Sequence, residues 1–392
     1  MNRRLIATLS VGHLATDLNQ GMLPALLPFF IAERGLTYAA AGGLVLAASV
    51  AASATQPAFG WFADRRPARW LIPAGIAASG AGLALSGVAP TYPLIAAAVA
   101  LMGLGAAAFH PEATRWASTA AGPRRATGLS FFSIGGNLGI ATGPLVITPL
   151  VLAWGLRASL VLLLPVLLVS ALLAFELRRL DSAAALRPGG HTTVAAGVSP
   201  DRWDLFGRLS IAIMARSMVY AALSTFIPIF WVAVLGRSMA EGGIALSVVM
   251  GSGVVGTLLG GRLADRHGRR VVVLVAMVLL APLLFALATA HDVRLAAALL
   301  IPVGIALYVP FSVVVVMAQE YLPNRVGTAS GMTLGLAITA GGLAAPLFGK
   351  LADYQGVAAP FVVAAFLPLL GAAAALTLPA DRPPVSARGP GG

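Results

Sequence analysis

The first apolar segment of this chain carries ionisable side chains where a purely hydrophobic helix would need none. His13 and Asp17 are four residues apart and Gln20 follows three residues later, so a helix would place them on one face. A carboxylate beside an imidazole can bind and release a proton, and charge buried in an apolar segment is costly and usually functional. We therefore predict a proton site at His13 and Asp17, with a satisfied structural pair as the alternative, and a ligand-binding role for Gln20.

A second pair with the same spacing, Arg216 and Tyr220, interrupts an apolar segment in the other half of the chain. A guanidinium binds a carboxylate or phosphate group through two parallel hydrogen bonds. Arg216 aligns beside Asp17 when the two halves are superimposed in sequence, so we expect the two side chains to face one another. Arg216 would then pair with Asp17 or with an anionic substrate, and Tyr220 would line the same site; a fixed salt bridge is the alternative.

A third cluster ends the fourth apolar segment, where Phe109-His110-Pro111-Glu112 is followed by Arg115. His110 is a candidate substrate ligand. Glu112 is a candidate second proton site or part of an inner gate, and an interfacial cap in which Glu112 pairs with Arg115 is the alternative. Glu320, at the end of the tenth segment, is expected to act as a structural latch beside the 323–325 loop.

The composition indicates which elements must hold these groups. The 392 residues are 58% hydrophobic and only 10% charged, whereas a soluble domain carries about 25% charged residues. The apolar residues form blocks of about 20, the length a helix needs to cross a bilayer, without the alternation of barrel strands. The net charge of +12 would suit a nucleic-acid binder, but the charges lie in the loops, and the absence of cysteine excludes thiol chemistry.

The blocks predict an all-α membrane protein with twelve transmembrane helices in two similar six-helix halves. The expected parts are the first half at 1–178, a cytoplasmic linker at 179–207, the second half at 208–379 and a disordered tail at 380–392. The helices are expected at about 5–31, 39–62, 70–90, 92–117, 127–152, 155–178, 208–235, 242–264, 271–290, 294–320, 327–351 and 356–379. The first block extends to Ile31, which is longer than the core of a signal peptide.

The loop charges predict the orientation. With the N-terminus inside, 20 arginines fall in inside segments and 5 Arg or Lys residues in outside segments, and Arg216 makes up the total of 26. Cytoplasmic loops carry the excess of positive charge. Both termini are therefore expected in the cytoplasm of a bacterium, with the chain in the inner membrane.

The two halves repeat with an offset near 200. The segment from Gly60 to Asp64 and Arg65 recurs as Gly261 to Asp265 and Arg266. Gly261 to Arg270 resembles the signature loop of the major facilitator superfamily, whose transporters have two parallel six-helix halves and bind substrate near the midplane between them. In such a loop the glycine allows close helix approach, and the aspartate can meet a helix N-terminus or a loop arginine and so latch one conformation.

A glycine-rich stretch in the fifth helix, which includes Gly139, Gly143 and Pro144, resembles a motif of proton-coupled antiporters in the superfamily. The glycines would form a groove for a neighbouring helix, and Pro144 would bend its own helix. Ordinary packing of small residues is the alternative. The G-x-G-x-x-G string at 251–256 follows no strand and lies within an apolar span, so nucleotide binding is not expected.

Three segments narrow the resemblance to the fosmidomycin resistance protein family. They are His13 to Pro28, Phe109 to Arg115, and Arg216-Ser217 together with Ser224 to Pro228. The arginine usual in the superfamily's fourth helix is replaced by Val99, which shifts weight for proton transfer to His13, Asp17, Glu112 and Arg216.

This resemblance implies proton-coupled efflux (antiport) of a drug or small metabolite, such as the anionic phosphonate fosmidomycin. The alternative is a proton symporter that imports an organic anion. A membrane enzyme would need a nucleophile–base pair or a metal cluster, and the five histidines have no ligand spacing. We therefore expect a transporter that is not an enzyme, with no metal or other cofactor and no nucleic-acid partner, acting as a monomer like other superfamily members.

Overall fold

The computed structural model describes residues 1–65, 68–182 and 200–380, and it describes only the backbone of residues 63–65, 123, 125–127, 180–182, 326 and 327. This part of the chain is helical throughout and contains no strand. The α-helices are α1 (Arg3–Arg34), α2 (Tyr38–Arg65), α3 (Leu71–Val88), α4 (Tyr92–Ala121), α5 (Arg125–Trp154), α6 (Leu163–Ser182), α7 (Trp203–Ala233), α8 (Met239–His267), α9 (Arg269–Ala288), α10 (Val293–Tyr321), α11 (Val326–Gln355), α12 (Ala359–Ala364) and α13 (Leu367–Leu376).

Twelve spans run through the described part, which confirms the predicted fold class. Eleven of them are long and apolar enough to cross a membrane. The remaining span, α1, is less apolar than the other eleven, because it carries His13, Asp17, Asn19 and Gln20. The first cluster singled out from the sequence therefore lies in the least apolar of the twelve spans, whereas His110 and Glu112 lie in α4 and Arg216 and Tyr220 in α7.

Two spans are less regular than predicted. The sixth begins with a 3-10 segment, Leu156–Leu162, before α6. The twelfth is broken between α12 and α13. Pro368 explains the second break, because proline has no N–H to donate to the carbonyl of Ala364 and its ring would collide with that carbonyl.

The two halves are in contact at one face of the helix bundle, opposite the face on which α1 begins and α13 ends. Gly42 of α2 is so close to α11 that an added Cβ would lie 2.6 Å from the carbonyl carbon of Ala345. A Cβ on Gly243 of α8 would lie 2.6 Å from Oγ1 of Thr148 on α5. Toward the opposite face, a Cβ on Gly331 or Gly335 of α11 would meet no described atom within 4 Å. The space between the halves therefore opens toward the face on which α1 begins and α13 ends.

The signature loop differs from expectation in one residue. A Cβ on Gly261 would meet no described atom within 4 Å, so the predicted close approach at Gly261 is wrong. Gly260 makes that approach instead, against the backbone of Val309 on α10. One residue is about 100° around a helix, which turns Gly261 away from α10. Asp265 and Arg266 are exposed, and Asp265 makes no hydrogen bond or ion pair within the described part.

Other expectations fall partly outside the described residues. The side chains of Asp64 and Arg65 do, and so do most of the predicted linker (183–199) and the predicted tail (381–392). Near the open face, Arg269 at the start of α9 forms an ion pair with Glu320 near the end of α10. This contact ties two neighbouring helices of the second half together, as the structural role expected of Glu320 requires.

Candidate proton and anion sites

Asp17 lies near the middle of α1, about 21 Å from the first residue of the helix at 1.5 Å per residue. Its residue surface is only 6% exposed. Gln20 Nε2 donates a hydrogen bond of 2.7 Å to Asp17 Oδ1, and His110 Nε2 of α4 lies 3.3 Å from the same oxygen. His13 Nε2 lies 3.2 Å from Asp17 Oδ2. The carboxylate is therefore held by two imidazoles and an amide from two helices.

The ring of His13 is fixed on every side. Its Nδ1 lies 2.9 Å from the carbonyl oxygen of Phe132 on α5. Its ring stacks on the Phe132 ring with centroids 4.2 Å apart, and the centroid of the Phe109 ring lies 5.9 Å from that of His13. The imidazole can therefore present Nε2 in only one direction, toward Asp17.

This geometry requires a bridging cation. A carbonyl oxygen only accepts, so Nδ1 of His13 must carry a hydrogen. In a neutral imidazole the other nitrogen, Nε2, then has a lone pair, and that lone pair faces a carboxylate oxygen. Two acceptors at 3.2 Å are stable only with a positive group between them, which is one additional proton or a metal ion.

Three potential metal ligands do come together here. One ligand atom from each of His13, Asp17 and His110 lies within 4.8 Å of the other two. A histidine that donates its second N–H to a carbonyl is also the usual arrangement of a metal ligand. The five histidines show no ligand spacing in the sequence, but two of them, His13 on α1 and His110 on α4, meet at Asp17 because α4 packs against α1.

The glycines of α5 bring this helix against the backbone of α1. A Cβ on Gly139 would lie 2.8 Å from the backbone nitrogen of Leu18, and one on Gly143 would lie 2.7 Å from the backbone of Gly21. Gly136 faces the ion pair itself, because its Cβ would lie 2.5 Å from His13 Nε2 and 2.6 Å from Asp17 Oδ2. The helix continues through Pro144 to Trp154. The motif thus brings α5 to the His13–Asp17 pair.

The substitution Gly136→Ala should therefore disturb the candidate proton site at His13 and Asp17 directly. The new methyl group needs the space between His13 and Asp17, and overpacking of this kind costs about 1–3 kcal/mol. We expect a lower thermal midpoint and a loss of proton-coupled transport. Gly335→Ala is the matched control, because its methyl group meets open space and alanine favours a helix over glycine by about 1 kcal/mol. Equal effects of the two substitutions would contradict this account.

Arg216 lies on α7 at the same depth as Asp17, about 20 Å from the start of its helix. It is 6% exposed. Its guanidinium carbon lies 5.1 Å from the centroid of the Phe311 ring on α10, and its Nε has no hydrogen-bond partner among the described residues. Within the described part, Arg216 forms no ion pair. A buried cation without an acidic partner is costly, and an anionic ligand would relieve that cost.

The expected contact between Asp17 and Arg216 is wrong for this conformation. The acceptor positions of Asp17 are taken by His13, His110 and Gln20, and Arg216 turns instead toward Phe311. The alignment of the two halves placed the residues at the same depth correctly. It did not fix how each helix is rotated, which decides the partner.

Two tyrosines complete the surroundings of Arg216. Tyr220 is one turn further along α7, and its ring meets the ring of Tyr308 on α10 edge to face, with centroids 6.2 Å apart. The Tyr308 hydroxyl donates to Met250 Sδ at 3.4 Å. Tyr220 was singled out from the sequence, whereas Tyr308, Phe311 and Phe132 were not. The aromatic residues around Pro310 in an otherwise aliphatic helix were the available signal for the first two.

Glu112 is completely buried but lies apart from Asp17. Arg115 Nη2 donates to Glu112 Oε1 at 2.7 Å, and Trp116 Nε1 donates to the same oxygen at 2.9 Å. The other oxygen, Oε2, has no partner in the described part. The structure thus contains the Glu112–Arg115 pair weighed above, and a proton-binding role for Glu112 stays a prediction.

Comparison with known proteins identifies the family to which this chain belongs. Residues 9–346 and 209–392 match the sequence model of the Major Facilitator Superfamily. The chain belongs to this superfamily. Since the superfamily consists of transporters, the chain is a transporter and not an enzyme. It is 33% identical over 385 residues to the uncharacterized MFS-type transporter YfnC of Bacillus subtilis (strain 168), with 96% of this chain and 93% of the relative covered.

A second superfamily relative is the fosmidomycin resistance protein of Escherichia coli (strain K12). It is 29% identical over 377 residues, which cover 94% of this chain and 91% of the relative. Solved superfamily structures share the fold. A bacterial homologue of the human lysosomal transporter Spinster has a TM-score of 0.81 at 15% identity. The match covers 95% of this chain and 96% of the homologue. The nucleoside transporter NupG has a TM-score of 0.72 at 18% identity, and the match covers 95% of this chain and 99% of NupG.

Proposed function

We propose that this transporter exports a small anion, such as fosmidomycin, in exchange for protons. The observation that carries the proposal is the separation of two buried charged sites at the same depth, one in each half. The relative from Escherichia coli named for fosmidomycin resistance supports the choice of drug.

Arg216 supplies the anion site in this proposal. A phosphonate or carboxylate would accept hydrogen bonds from the guanidinium, including one from the Nε, which has no partner in the part of the chain that the structure describes. Tyr220 would line the same pocket and add a hydroxyl donor. Phe311 would hold the guanidinium plane in place while the anion binds at its edge.

The pair of His13 and Asp17 supplies the proton site. The bridging cation that their contact requires is, in our proposal, a proton taken up from the outer side and released to the cytoplasm. Gln20 and His110 would support the carboxylate when no drug is bound.

The coupling must overcome a simple electrostatic effect. A proton on the His13–Asp17 pair adds positive charge beside Arg216, which by itself would strengthen anion binding. Exchange therefore requires that drug and proton compete for the same side chains. Gln20 and His110 are suited to this role, because a drug that binds them would free Asp17 to turn away from His13, and the proton shared by that pair would then be released.

The same electrostatic effect favours the alternative function, a proton symporter that imports an organic anion. If the drug left Gln20 and His110 in place, proton and anion would bind together and move together. The sign of the proton change on binding separates the two functions.

We propose that the chain lies in a bacterial cytoplasmic membrane as a monomer with both termini in the cytoplasm, as its arginine distribution favours. The open face between the halves would then be the cytoplasmic one. In that orientation the conformation described above is ready to receive a drug from inside the cell.

Proton release on binding tests the proposal. Fosmidomycin is added to the purified protein in weakly buffered detergent solution with a pH indicator, and we expect an acidification that saturates with the drug and is absent in Arg216→Ala. The release should be unchanged in EDTA, because the bridging cation is a proton. Proton uptake would favour symport, and a response lost in EDTA and restored by Zn²⁺ would replace the proton by a metal ion.

A further inference from the structure

The sequence G-x-x-A-D occurs a third time in the chain. The first two copies, Gly60 to Asp64 and Gly261 to Asp265, end α2 and α8 at the open face. The third, Gly349-Lys-Leu-Ala-Asp353, lies near the end of α11, at the face where the two halves are in contact. Its surroundings differ from those of Asp265, which has no partner in the described part.

Asp353 binds the first turn of a helix from the other half. Its Oδ1 accepts a hydrogen bond of 2.8 Å from the backbone N–H of Tyr38, and its Oδ2 accepts one of 2.9 Å from the backbone N–H of Ala39. These N–H groups begin α2 and have no partner within their own helix. A carboxylate is also favoured at a helix N-terminus by the helix dipole. The aspartate thus caps α2 from outside its own half.

The glycine of this motif makes the contact possible. A Cβ on Gly349 would lie 2.6 Å from the carbonyl carbon of Tyr38 and 2.7 Å from Cα of Ala39. Gly42, one turn further along α2, is equally close to α11. The backbones of α2 and α11 therefore touch at this end, and Asp353 is placed directly over the N-terminus of α2.

We propose that Asp353 is a latch that holds the outer face of the transporter closed and must release α2 each time this face opens. Separation of the halves at this face would move α11 away from α2, and both hydrogen bonds would break. An interaction present in only one of two conformations shifts the equilibrium between them. The proposal takes the identity of the outer face from the orientation proposed above; otherwise it rests on the fold and does not depend on the substrate.

Distance measurements between spin labels test the latch. The chain has no cysteine, so labels can be attached at Glu33→Cys, at the end of α1, and Arg237→Cys, between α7 and α8, in an otherwise native background. Loss of a helix cap shifts an equilibrium by roughly five- to tenfold. We expect Asp353→Ala to raise the ratio of long to short label distances by that factor in lipid nanodiscs, and Asp353→Asn, which keeps one acceptor, to raise it less.

Asp292→Ala is the matched control. Asp292 also caps a helix at this face, since its Oδ1 accepts from the backbone N–H groups of Arg294 (2.6 Å) and Leu295 (3.3 Å), but that helix, α10, belongs to the same half. It should cost similar folding stability and leave the distance distribution unchanged. An unchanged distribution in Asp353→Ala, or equal shifts in both variants, would overturn the proposal.

Discussion

Asp17→Asn is expected to abolish proton-driven export while drug binding persists. Asparagine fills the same volume and can still contact Gln20, but it carries no negative charge to share a proton with His13. In proteoliposomes with an imposed pH gradient, drug accumulation should fall to the level of empty vesicles. Fosmidomycin affinity should also lose its dependence on pH, because the group that links the two ligands is gone.

Asp204→Asn is the control for this substitution. Asp204 is an exposed carboxylate in the first turn of α7, paired with Arg202 at 3.3 Å, far from the proposed path. It should transport like the parent protein. If Asp17→Asn still drives accumulation from a pH gradient, the proton site is elsewhere, and the buried Glu112 becomes the next carboxylate to replace.

Arg216→Ala is expected to remove drug binding. A charge-assisted, two-fold hydrogen bond in a buried site is worth about 3 kcal/mol, which corresponds to a roughly 100-fold weaker affinity for fosmidomycin. Arg216→Lys should recover part of the loss, because it keeps the charge and loses the planar fork. Isothermal titration calorimetry of the purified variants measures these differences.

The stability of Arg216→Ala separates a binding role from a structural one. Because Arg216 has no acidic partner in the described part, its removal leaves no buried charge unpaired, and the thermal midpoint should not fall. Arg208→Ala, on the same helix at the open face, removes a hydrogen bond to the carbonyl of Thr377 and should not change drug affinity. A marked loss of stability with unchanged affinity in Arg216→Ala would assign Arg216 a structural role.

The fold could be predicted from composition and block length, because a bilayer leaves helices as the solution for apolar blocks of this length. The breaks in the sixth and twelfth spans could not be placed, since they depend on how Pro368 and the 3-10 segment after Gly155 are accommodated by packing. Membership of the superfamily followed from the loop that begins at Gly261, although Gly260 makes the close contact there.

The candidate sites were predicted in part. The four-residue spacing of His13 and Asp17 predicted their contact, because a contact at this spacing depends only on the geometry of one helix. The approach of His110 to Asp17 and of Phe311 to Arg216 depends on the packing of separate helices, which no single segment encodes. The face on which the halves close was also unpredictable, because similar G-x-x-A-D segments occur at both faces.

The direction of proton movement during drug efflux tests the central claim most directly. Proteoliposomes are loaded with fosmidomycin and a pH-sensitive dye, clamped with potassium and valinomycin, and diluted into drug-free medium at the same pH. Exchange predicts that the lumen becomes more acidic as the drug leaves, whichever way the protein is inserted, and that Asp17→Asn gives no change. A lumen that becomes more alkaline would mean that drug and proton move together and would contradict the proposed exchange.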